Sequence, residues 1–130
     1  MIETIGVVHF SIPVRDLARS QRFYTDLLGL TVVATPPGSG MAFLRAGADH
    51  VILCESRDAT PPNPGDAIHV HHAFRVASAR YEDAKRFLQS HGVAILHEED
   101  RKTGVFVGRQ FYVHDPDGNV IEISDCAPAG

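Results

Sequence analysis

The chain reads as an α+β protein in which one βαβββ module is written twice. Three observations predict this. A strand-then-helix pattern that begins at His9 recurs at His71, each helix stops at a glycine (Gly29 and Gly92), and each is followed by three short β-like runs. The offset is 71 − 9 = 62 at the histidines and 92 − 29 = 63 at the glycines, so spacing repeats together with order.

In the first module, "HFSIPV" alternates. Val8, Phe10, Ile12 and Val14 form an apolar side expected to pack under the helix, and His9 and Ser11 face the other way. Asp16 is placed to cap a helix whose stripe is Leu17, Phe23, Tyr24, Leu27 and Leu28. The strands that follow are "LTVVA", "MAFLRA" and "HVILCES". A Pro- and Asp-rich linker, 58–67, leads to the second module. There Val70, Phe74 and Val76 take the helix side, and His71 and Ala73 point away. Ser78 is the expected cap of a helix with Tyr81, Ala84, Phe87 and Leu88 on its stripe, followed by "VAILHEE", "GRQFYVHD" and "NVIEIS". "DPDG", residues 115–118, is a turn joining the last two strands, and that accounts for it without a catalytic role. The whole, 1–130, is one domain, with modules at 5–57 and 68–125.

Composition excludes several functions. A formal charge of −4 with no Lys/Arg cluster argues against nucleic acid as a partner. No apolar run reaches the ~18 residues of a membrane span, and the opening "MIETIGVVHF" lacks a signal peptide's basic start. Two cysteines, Cys54 and Cys126, form neither a disulfide framework nor a CxxC pair, so the cytoplasm is the expected compartment.

The eight histidines sort by strand parity. His9 and His71 leave their strands on the face away from the helices, and Glu122, in the otherwise apolar "NVIEIS", does the same. A carboxylate there is costly unless paired or bound to a cation. Two imidazoles and one carboxylate make a first shell for a divalent metal with open positions. His72 has helix-side parity and reads as packed; His69, His91 and His97 read as surface.

The stretches "HFSIPV", "RFYTDLLGL", "HHAFRV" and "QFYVHDPDGNVIEI" together resemble the vicinal oxygen chelate superfamily: glyoxalase I, bleomycin-binding proteins, fosfomycin-resistance enzymes and extradiol dioxygenases. The resemblance covers nearly the whole chain. It implies paired modules curled into an open, curved mixed-sheet cup with helices outside. It also implies His9, His71 and Glu122 as metal ligands, and a homodimer with sites shared between chains.

Within the family, "YVHDPDGNVIE" fits the tyrosine-to-glutamate pattern of extradiol dioxygenases, which implies Tyr112 as an acid–base residue. Their second histidine falls on Thr103, and His50 is a candidate for another if it faces the site. Fosfomycin-resistance transferases share the tyrosine, and Ser11 matches a hydroxyl of theirs. Their arginine beyond the glutamate and their Ser-rich loop have no counterpart here. Glyoxalase I would add a second carboxylate, but Leu53 is the expected counterpart of Glu122, with Glu55 two residues on. The resemblance therefore implies first an Fe(II)-dependent extradiol-type dioxygenase acting on a small vicinal-dioxygen molecule. The alternative is an isomerase, epimerase or lyase using Zn, Ni, Co or Mn; a drug-binding resistance protein without catalysis comes third.

Overall fold

The computed structural model describes residues 1–128. Two compact units divide the chain, Met1–Ala59 and Thr60–Gly130, so most of the Pro-rich linker belongs with the second.

In the first unit β1 (His9–Val14) leads into α1 (Leu17–Arg22), then β2 (Thr31–Ala34), β3 (Met41–Ala46) and β4 (Asp49–Glu55). The strand order is β1-β4-β3-β2, with β1 parallel to β4 and the other pairs antiparallel. In the second unit β5 (His71–Arg75) and α2 (Tyr81–Ser90) precede β6 (His97–Arg101), β7 (Phe106–His114) and β8 (Val120–Ser124). The order β5-β8-β7-β6 copies the first, again with the outer pair β5-β8 parallel. A short β9 (Ala127–Pro128), which periodicity did not foretell, pairs with the start of β7. Mixed open sheets with two helices are the α+β architecture the repeat predicts.

Alternation builds each core. Ile12, Val14, Ala42, Leu44, Val51 and Leu53 are buried on one face of the first sheet, with Phe23, Tyr24 and Leu30 also in that unit's core. Phe111, Val113, Ile121 and Ile123 do the same in the second, with Tyr81 and Leu88 of α2 buried as well. Asp16 caps α1 as expected, its Oδ1 accepting from the Arg19 N–H at 2.9 Å.

Four expectations need correction. Val8 and Phe10 do not pack under the helix; they are 83% and 53% exposed, because the first sheet's core begins only at Ile12. Ser78 does not cap α2: a single 3₁₀ turn, Ser78–Arg80, comes first, and the Ser78 side chain bonds to Asp125 instead. The first helix widens at Phe23–Leu27 into a π turn, where Leu28 N–H donates to Phe23 O at 3.2 Å. That turn holds Phe23 and Tyr24, neighbours in sequence, both buried and edge to face at 5.3 Å. β6 begins at His97 rather than at the apolar "VAIL", since pairing with β7 defines the strand.

The 115–118 turn is as expected. Asp115, 5% exposed, accepts from the Asp117 and Asn119 N–H groups at 2.9 and 2.8 Å. It sets the antiparallel register that places Tyr112 beside Glu122.

Candidate metal and acid–base site

One row of residues crosses the second sheet on the face away from α2. In it Ala73 of β5 pairs with Glu122 of β8, Glu122 with Tyr112 of β7, and Tyr112 with His97 of β6. His71, two residues before Ala73, shares that face by alternation.

Glu122 is 8% exposed in a strand where every residue is buried. A carboxylate so placed requires partners, and it has two. His71 Nε2 lies 3.1 Å from Glu122 Oε2, and the Tyr112 hydroxyl donates to the same carboxylate. The other imidazole nitrogen, His71 Nδ1, is 2.7 Å from the Ile68 carbonyl oxygen. A carbonyl only accepts, so Nδ1 carries the hydrogen and Nε2 presents its lone pair to Glu122. Two acceptors facing each other at that distance call for a cation between them, a proton or a metal ion. An Nδ1–H held by a backbone carbonyl is also the arrangement that frees Nε2 for a metal. The donor set therefore fits a divalent ion.

Burial pushes the Tyr112 phenol up to about 12, with the negative charge of Glu122 and the hydrogen bond to it adding to the shift. Tyr112 thus stays a donor at neutral pH. Its ring meets the His71 ring edge-on at 5.4 Å, and the His97 ring lies 5.9 Å away on its other side.

His71, Tyr112 and Glu122 open onto a cavity of about 510 Å³. Ala73, Phe106 and Pro128 line it together with Arg75, Gln110, Ser124 and Cys126. That volume suits a small molecule.

The structure thus brings together three of the four expected site residues, His71, Tyr112 and Glu122. His9 stands in the first unit, opening β1. Among the described residues, no group of three or more His, Cys, Asp or Glu is arranged to hold a metal ion.

Register also corrects the first unit's counterparts. Ser11 pairs with Ile52, as Ala73 pairs with Glu122, so the counterpart of Glu122 is Ile52 and not Leu53, which is buried in the core. His9 pairs with His50, which places His50 on the His9 face rather than the opposite one. Glu55 pairs with Val14 and accepts from the Leu17 N–H at 2.9 Å, serving the start of α1. His72, half-buried, has its pKa lowered by desolvation first and by the neighbouring His71 second, against the opposing pull of Asp115. It is the packed histidine that its parity indicated. His97 is exposed, as its reading as a surface residue had it, and the β6–β7 register, which no periodicity encodes, also places it beside Tyr112.

Comparison with known proteins agrees with this topology. A family model described as the Glyoxalase/Bleomycin resistance protein/Dioxygenase superfamily matches residues 6–123. The chain is 34% identical over 117 residues to the glutathione transferase FosA of Serratia marcescens, covering 88% of this chain and 77% of the relative. It is 29% identical over 123 residues to the metallothiol transferase FosB of Staphylococcus saprophyticus, covering 95% and 77%. In fold it matches the crystal structure of the fosfomycin resistance protein FosX of Listeria monocytogenes, with a TM-score of 0.78, 20% identity and coverage of 98% and 94%. A mutant of that Listeria protein was crystallised with Mn(II) and 1S,2S-dihydroxypropylphosphonic acid. A family match over nearly the whole length, on a topology that the chain repeats within itself, leads to one conclusion: this protein belongs to the glyoxalase, bleomycin resistance and dioxygenase superfamily, the vicinal oxygen chelate proteins.

Proposed function

We propose that this chain is a divalent-metal enzyme acting on a small substrate with two adjacent oxygens, and that His71 and Glu122 of one copy and His9 of a second copy hold the ion. The observation that carries this is the approach of His71 Nε2 to Glu122 Oε2 at 3.1 Å while Nδ1 is committed to Ile68. The homodimer is supported by the position of His9 in the other unit and by the exposed apolar residues around it, Ile5, Val7, Val8 and Phe10. The two free cysteines are in keeping with a cytoplasmic enzyme.

When bound, the ion supplies Lewis-acid polarisation of the substrate's oxygens. The protein's own part is to orient and to move a proton. Tyr112, held protonated, donates to the substrate oxygen on which negative charge develops. Apolar side chains of the cavity, Phe106 among them, lower the polarity around that oxygen. The names of the transferase relatives favour thiol addition to a strained cyclic ether such as fosfomycin. Sulfur bonds to one ring carbon as that carbon's C–O bond breaks, and the oxygen keeps the electron pair and stays on the neighbouring carbon. Tyr112 protonates it, and the proton lost by the thiol restores the phenol.

Ring cleavage of a catechol by an Fe(II) form is a second reading, and His97 supports it. The histidine missing at Thr103 has a spatial substitute whose ring lies 5.9 Å from Tyr112.

One experiment separates them. Protein loaded with Mn(II) is given glutathione and fosfomycin, and loss of free thiol is followed; Fe(II) protein is given catechols and oxygen uptake is followed. Thiol consumption that needs metal supports transfer, and metal-dependent oxygen uptake supports cleavage. Absence of stoichiometric binding of any divalent ion to the wild-type chain would overturn the metal assignment itself.

A further inference from the structure

The loop before β5 holds a feature that the ligand set does not explain. Asn63 is 7% exposed although it lies in the Pro-rich stretch. Its side chain grips one residue twice: Nδ2 donates to Val70 O at 2.8 Å, and Oδ1 accepts from Val70 N–H at 2.9 Å. The amide thereby imitates a neighbouring strand and closes a loop from 63 to 70. Inside the loop, Ala67 N–H donates to Pro64 O at 3.1 Å, forming a tight turn. Two residues before the clamp is Ile68, whose carbonyl holds His71 Nδ1 at 2.7 Å. One residue after the clamp is His71 itself.

A second contact anchors the same loop. A side chain at Gly118 would lie 2.9 Å from Pro61 Cγ, so the loop packs directly on the turn between β7 and β8. The segment is therefore packed on the β7–β8 turn at Pro61 and runs straight into β5 after Val70.

We infer that Asn63 is a positioning residue for His71: by clamping Val70 it holds the Ile68 carbonyl against Nδ1, which keeps a hydrogen on Nδ1 and turns Nε2 towards Glu122. The inference rests on the proposed function for its use, since a metal is what the free Nε2 would serve. Its physical content is independent of that. Loops tolerate most polar side chains, and a surface loop gains little from burying one amide. A buried, doubly bonded Asn next to an imidazole with a committed Nδ1 has a specific consequence. Without the clamp, Ile68 is released, the imidazole is free to carry its hydrogen on either nitrogen, and an Nε2–H would donate to Glu122 and satisfy the carboxylate without a cation.

The test reads the tautomer directly. Metal-free protein with ¹⁵N-labelled histidine is studied by long-range ¹H–¹⁵N spectroscopy, with the His71 signals assigned by their loss in His71→Gln. In the wild type His71 Nδ1 is expected to carry a hydrogen throughout, held by the Ile68 carbonyl, whether or not a proton also lies between Nε2 and Glu122. In Asn63→Ala the ring is expected as a mixture in which Nε2–H is substantial. Asn63→Asp, which keeps the acceptor for Val70 N–H and loses the donor to Val70 O, is expected to fall between. Manganese affinity measured by calorimetry should weaken by roughly 10- to 100-fold in Asn63→Ala, the usual effect of losing a residue that orients a ligand.

Gly92→Ala serves as the control. Its φ of 77° makes an alanine strained at the end of α2, away from the loop, so it lowers stability without touching the clamp. A merely structural Asn63 would leave the tautomer as unchanged as Gly92→Ala does, and an unaltered Nδ1–H signal in folded Asn63→Ala and Asn63→Asp overturns the inference. A changed tautomer in a protein whose wild type binds no divalent ion would uphold the positioning role and defeat the proposed function instead.

Discussion

His9 and His50 stand in register on adjacent parallel strands, on the face of their sheet opposite the buried Val51 and Leu53. Whatever site receives His9 therefore receives His50 with it. His50→Ala should keep metal stoichiometry while turnover falls by roughly 10²-fold, the scale of a lost proton donor or acceptor. Loss of bound metal, read by elemental analysis, would make His50 a ligand instead.

Sites shared between copies can be tested by mixing. Chains bearing His9→Ala and chains bearing Glu122→Ala are each expected to bind no metal stoichiometrically. Unfolded and refolded together, they form mixed dimers in which one of two sites is intact, so about a quarter of wild-type metal content returns by random pairing. No recovery at all would place each site within one chain.

Tyr112→Phe removes one hydroxyl whose partner is Glu122. Metal content should be unchanged, and stability should drop by about 1 kcal/mol for the lost hydrogen bond. Turnover on whichever substrate proves active should fall by roughly 10²- to 10⁴-fold. Steady-state kinetics beside a denaturant titration would distinguish this from a tyrosine that is only packed.

Alkaline titration offers a check that needs no substrate. The Tyr112 phenol is raised to about 12, by desolvation first and by Glu122 second. Its folded-state value exceeds its unfolded value, so its contribution to stability is whole below pH ~10 and is lost as pH rises towards about 12. Tyrosinate absorbance should therefore appear later in the wild type than in free tyrosine. Tyr112→Phe should delete a late-titrating phenol rather than an early one. Tyr81, raised above the usual range by burial and by Glu98, should titrate late as well.

Glu55 offers a test of the corrected register. Its carboxylate accepts from the first N–H of α1, so Glu55→Ala should cost about 1 kcal/mol of stability, as a lost helix cap does. Metal affinity should not move. A fall in affinity would add Glu55 to the ligand set.

What the sequence carries well is local and periodic. Alternation placed His71, Tyr112 and Glu122 on one face because side-chain direction in a strand depends on counting alone. Helix ends at Gly29 and Gly92, both at positive φ, were equally legible. Register between strands is another matter. That His50 shares the face of His9, and that the exposed His97 lies beside Tyr112, are settled by pairing between strands, which no window of residues encodes. The Asn63 clamp was invisible for the same reason: a polar residue among prolines signals a loop, and its partner lies seven residues on.

In each sheet the first strand lies parallel to the last, β1 with β4 and β5 with β8. During synthesis β5 must wait with an open edge until β8 leaves the ribosome, a separation of 122 − 71 = 51 residues between His71 and Glu122. Such distant pairings close slowly, and that puts the folding rate in the slower range for small mixed domains. The nascent chain thus carries its imidazole long before its carboxylate, and the His71–Glu122 pair exists only in the finished protein.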